Sequence, residues 1–244
     1  MQEMSLQNLA PQDSSEFLLS EGEFFLDELE GKLARHRIFA HPLLLAFRRQ
    51  QLSWPQLRVF AIHYYPHILK TRLHQAMALS VSPWEPVQHV FAAILMDEYG
   101  LEKGGDTHPE LYRTFLIACG YCADEWSCAP VLDCLERYIR LQERLCTGDP
   151  LVALGAAGVA MEWPIPRIYG DIVQGLRPHL KEESMEIFIG HMEIDTEHAA
   201  QIREVSSPLL ASPSAQVLFE KGVMDSLEGR CRWMDGLWAR VCSP

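Results

Sequence analysis

Apolar positions recur every three to four residues along most of this chain, and runs of alternating β-branched residues are nearly absent. That period puts apolar side chains on one face of a helix. The pattern predicts helices over Glu16–His36, His41–Arg49, Trp54–Leu79, Pro86–Tyr99, His108–Ala118, Ala129–Leu145, Pro150–Gly175, Glu182–Val205 and Ser214–Val241. Local signals agree with several of these limits. Pro42 and Pro55 suit a first turn, Ser53 and Thr107 suit N-caps, and Gly100 and Gly120 suit stops. Pro66 predicts a kink within the third helix. No Gly/Ser-rich linker, repeat or charge block divides the chain. The expected architecture is all-α: one helical bundle of about seven to nine helices over 15–244, after a mobile acidic leader over 1–14.

Three of these helices break their own pattern. HMEIDTEH places His191, Asp195 and His198 four and then three residues apart, on the stripe that also carries Ile187, Phe188, Ile194 and Ile202. Burying a carboxylate and two imidazoles is costly unless they are paired, hydrogen-bonded or bound to a metal. Glu98 closes the apolar seam Phe91, Ile94, Leu95, and LEKGGDT then permits a reversal that returns His108 toward it. Glu162 lies in LGAAGVAMEWPIP, with Gly158 and Gly155 on its face. Small residues there admit either a close helix neighbour or a substrate, and Pro164 and Pro166 remove backbone donors just beyond it. A hydrogen-bonded cluster and a surface glutamate beside a proline kink are the bland readings of these pieces. Together, Glu98, His108, Glu162, His191, Asp195 and His198 form an oxygen and nitrogen ligand set suited to two iron or manganese ions. The repeated Glu-x-x-His motif of ferritin-like bundles is missing.

Charge and cysteine content narrow the partners. A formal charge of -12 argues against nucleic acid or an anionic membrane surface and favours a small-molecule substrate. With no signal-like start and no apolar run of membrane length, a cytoplasmic protein is expected. Seven cysteines are then expected as thiols. The cluster Cys119, Cys122, Cys128 and Cys134 lacks the two tight pairs of a zinc site.

DEYG followed by His108 and Pro109, then Glu162, then HMEIDTEH, resembles the haem-oxygenase-like di-iron oxidases, within the wider thiaminase-like and pyrroloquinoline-quinone-synthase-like group. The resemblance covers roughly residues 35–206. It implies a haem-oxygenase-like bundle with two Fe(II) per chain and O2 as co-substrate. It also implies Glu98, His108 and His191 on one iron, Asp195 and His198 on the other, and Glu162 bridging or serving the second. The implied activity is oxidation of a small amine- or amino-acid-derived metabolite by N-oxygenation, desaturation or C–C cleavage. A homodimer and an external electron donor are compatible with it. The chain departs from some N-oxygenating members because Phe60 to Trp84 contains no Asp or Glu to act as an extra ligand. The pocket wall is expected from His63–His67 and Trp163–Tyr169, with Tyr65, Arg167 and Tyr169 as substrate contacts. Alternatives are a metal-free oxidase or thiaminase-like hydrolase on the same fold, or a non-catalytic ligand- or partner-binding bundle. In the last case GRCRWMDGLWARV would form an interaction face.

Overall fold

The computed structural model describes residues 14–101 and 105–243, with side chains from 21 onward. The expected leader over 1–14 therefore lies outside the described residues, except that Ser14 opens the first helix. Among the described residues the secondary structure is helical, without strands.

The chain runs through α1 (Ser14–Leu33), α2 (Pro42–Arg48), α3 (Trp54–Val81), α4 (Glu85–Glu98) and α5 (His108–Ala118). It continues with α6 (Ala123–Ser127), α7 (Asp133–Cys146), α8 (Pro150–Ala153), a π-helical turn (Leu154–Val159) and α9 (Ala160–Glu162). The last elements are α10 (Ile165–Leu176), α11 (Glu186–Ser206) and α12 (Pro213–Cys242). Two expectations change. The segment expected to run as one helix from Ala129 begins only at Asp133, and the short α6 precedes it. The helix expected over Pro150–Gly175 is interrupted, first by the wide π turn and then at Pro164. Pro66 lies inside α3 without ending it.

The caps show why the elements stop where they do. Thr107 Oγ1 accepts from the Glu110 amide, while Glu110 Oε2 accepts from the Thr107 amide at 2.8 Å, a reciprocal capping box. Gly100 takes φ +66° at the end of α4. A Cβ there would lie 2.5 Å from the Gly105 carbonyl oxygen, so only glycine fits this turn.

Two apolar clusters make the core. One joins α2, α3, α5, α10 and the start of α11 to the end of α12. The other joins α1, α4, the π turn and the first half of α12. Of the two roles open to Gly155, the structure takes close packing: a Cβ at Gly155 would meet the Phe219 carbonyl oxygen of α12 at 2.3 Å. Trp233, Met234 and Leu237 are buried, so the final helix spends its apolar face on the bundle.

Candidate metal centre

The six anomalous residues meet in two groups. Glu98, His108 and His191 bring one ligand atom each within 4.8 Å of one another, and Glu162, Asp195 and His198 do the same. Both groups line one cavity, walled by Ile68, Ile94, Met161, Ile165 and Ile187 from the two apolar clusters.

Local structure delivers each side chain. The Gly100 turn folds α5 back on α4, so that His108 Nδ1 lies 2.9 Å from Glu98 Oε2. Asp97 Oδ2 lies 3.5 Å from the other ring nitrogen. His191 Nδ1 donates to the Ile187 carbonyl at 2.5 Å, which fixes the tautomer and leaves Nε2 to the cavity. In the second group His198 Nδ1 faces Glu162 Oε2 at 3.4 Å and Asp195 Oδ1 at 3.8 Å. Gln75 of α3 donates to Glu162 Oε1 at 2.6 Å.

The charges show what these groups require. Burial lowers the His108 imidazole, but Glu98 and Asp97 outweigh it and push the pKa up to about 10. Burial likewise opposes protonation of His198, yet Asp195 and Glu162 push it up to about 10. Burial and then Glu162 hold the Asp195 carboxyl well above the carboxylate range. His191, desolvated and beside His108, stays neutral. Protons thus balance the carboxylates, a task that a divalent ion performs by displacing them. His108 Nδ1 and His198 Nδ1 are buried close to carboxylate oxygens but without a well-aligned hydrogen bond. Orphaned imidazole nitrogens beside carboxylate oxygens fit an octahedral-type iron or manganese ion.

A profile of the family described as iron-containing redox enzymes matches residues 58–228, well over half of the chain. The protein belongs to this iron-containing redox enzyme family. A relative named 4-aminobenzoate synthase, from Chlamydia muridarum, is 27% identical over 209 residues, covering 84% of this chain and 87% of its own. Among solved structures, a CADD-like protein of unknown function from Nostoc punctiforme aligns with TM-score 0.74 at 16% identity, covering 91% of this chain and 96% of its own. A protein from Shewanella denitrificans described as having a heme oxygenase-like fold aligns with TM-score 0.67 at 16% identity, covering 94% of each chain. The fold of this family member is therefore haem-oxygenase-like.

The expected substrate contacts divide. Tyr169 lines the cavity, its ring 5.5 Å from that of His191. Tyr65 does not: it is buried against Tyr112, and its hydroxyl accepts from Arg113 Nε at 2.8 Å. Arg167 is exposed, its guanidinium over the Phe39 ring at 4.2 Å. Of the expected wall segments, His67, Ile165 and Tyr169 reach the cavity. Sequence reasoning missed three residues: Asp97, Gln75 and Arg230, the last of which also lines the cavity. Arg230 had a visible signal, because it interrupts the apolar stripe Val223, Leu227, Met234, Leu237 of α12.

The thiols stay apart from this chemistry. All seven are free, and among the described residues no cysteine lines the cavity. Burial pushes Cys119 up to about 12, away from nucleophilic use. Among the described residues no helix is long and apolar enough to cross a membrane.

Proposed function

We propose that this iron-containing redox enzyme is a di-iron oxidase or oxygenase that uses O2 to oxidise a small amine- or amino-acid-derived metabolite. One observation carries the reading: two triads of mixed carboxylate and imidazole, buried except at half-buried His191, open on the same apolar-walled cavity. Glu98, His108 and His191 would hold one iron, and Glu162, Asp195 and His198 the other. Two ferrous ions supply electrons for reducing O2.

The chain's own residues prepare the site. Ile187 and Asp97 orient His191 and His108, and Gln75 ties down one oxygen of Glu162 so that the other points to His198. The aliphatic wall excludes bulk water and strengthens every charge interaction inside. The name of the Chlamydia relative is in keeping with this chemistry, since 4-aminobenzoate, the product it names, carries an amine.

The test is anaerobic ferrous titration with metal analysis, followed by visible absorbance on mixing with O2. Two irons per chain are expected, one for each triad. Glu162→Ala should bind one or fewer and lose any O2-dependent absorbance. Equal iron binding by both proteins would sink the assignment of Glu162, and failure of the wild type to bind iron would sink the reading as a whole.

A further inference from the structure

Arg230 stands in the middle of α12, only 3% exposed, and lines the cavity shared by both triads. Its polar partner is the Tyr138 hydroxyl, 3.4 Å from Nε, and its other electrostatic neighbours are the phenols of Tyr64 and Tyr169. Among the described residues no carboxylate forms an ion pair with it. Other arginines contrast sharply: Arg37, Arg48, Arg177 and Arg203 all pair with acids, and all are more exposed. A guanidinium cannot shed its charge, so a buried one without a counter-ion demands an anion.

The charge count of the proposed centre has the same sign. The two triads contain three carboxylates, Glu98, Glu162 and Asp195. Against two ferrous ions these leave one positive charge, which the Asp97 carboxylate beside His108 offsets, and Arg230 makes the cavity positive again. A simple amine would enter this cavity against the field, whereas a molecule with an acidic group would balance it.

We infer that Arg230 is the anchor for a carboxylate on the molecule that reacts beside the two triads. This deepens the di-iron reading and rests on it. It makes the substrate an acid as well as an amine, such as an amino acid or an amino-substituted aromatic acid. The carboxylate is gripped by the planar fork of Arg230, in the two-pronged geometry that suits it. The amine end then points toward the triads. Arg230 supplies the guanidinium that the sequence pattern assigned to Arg167.

The experiment is calorimetric titration of the anaerobic, iron-loaded protein with benzoate and with phenylalanine, each compared with its primary amide. The wild type should prefer each acid by roughly 10- to 100-fold, the range for charged hydrogen bonds. Arg230→Gln should lose that preference while its iron count stays at the wild-type value, and Arg230→Lys should keep part of it. Wild-type protein that binds acid and amide alike, or binds no acid, overturns the inference, as does preference retained in Arg230→Gln. The wild-type comparison needs no variant, so it stands even if Arg230→Gln fails to fold. Iron counted in the same samples separates the two readings: no iron defeats the di-iron centre, whereas two irons without acid preference defeat only the anchor.

Discussion

Both triads draw on α11, yet they are held differently. The first depends on a turn: Glu98 and His108 flank the Gly100 reversal, and half-buried His191 closes the group. A surface pocket lined by Asp97, Gly100, Asp106 and Glu193 reaches the same His108 and His191. The second depends on the core: Glu162, Asp195 and His198 are all buried, and Gln75 ties Glu162 to α3. A turn can open without unfolding the bundle, whereas a core cannot. The first position should therefore exchange its ion more readily than the second.

The largest effect that tests this contrast is on stability. In the metal-free protein Glu162→Ala leaves the Gln75 amide buried and unpaired and the His198 cation with Asp195 alone, and should cost about 3 kcal/mol. His191→Ala should cost roughly 1 kcal/mol, because a neutral ring at the rim leaves no charge buried and unpaired when it goes. Equal losses in chemical denaturation would erase the distinction between turn and core. Next come the residues that orient the ligands. Asp97→Asn should weaken iron binding roughly 10- to 100-fold at the first triad alone, and Gln75→Leu should do so at the second. Titrations in which either variant weakens both positions equally would show that they are not independently held.

The dependence on pH is a smaller effect. The folded pKa of His108 and His198 is raised to about 10, so their contribution to stability is complete below the unfolded value near 6.5 and is lost as pH rises toward 10. His74, lowered by burial to about 4, acts on the other side: its contribution is lost as pH falls from about 6.5 toward 4. Melting of the metal-free protein should peak near neutral pH and decline in both directions. Iron should flatten the alkaline side, because its ligands no longer carry those protons. A metal-free protein that melts at one temperature from neutral pH to pH 10 would contradict the paired charges. Smallest is Arg167→Ala, which should cost about 0.5–1 kcal/mol through lost stacking on Phe39 and leave iron binding and KM unchanged.

Helix positions and the six triad residues were legible because a polar side chain in an apolar stripe breaks a strict period. Glu98, Asp195 and His198 were conspicuous for that reason. Asp97 and Gln75 were not, since a polar residue beside such a seam looks like any solvated position until its partner is known. Tyr65 and Arg167 illustrate the opposite error. Both have the right chemistry and lie on segments near the cavity, but the rotation of each about its helix depends on tertiary packing. The interruption after Ala153 left no mark in the periodicity, because Leu154 to Met161 is small or apolar all round.

That interruption sets a phase. The π turn over Leu154–Val159 spaces its hydrogen bonds one residue wider than an α-helix, and Glu162 follows three residues after it. A regular helix advances about 100° per residue. Were the same residues to wind as a regular helix, without the wide turn, Glu162 would swing about a quarter of a circle from His198. The wide turn takes up the one residue that would otherwise rotate this carboxylate away from its neighbours.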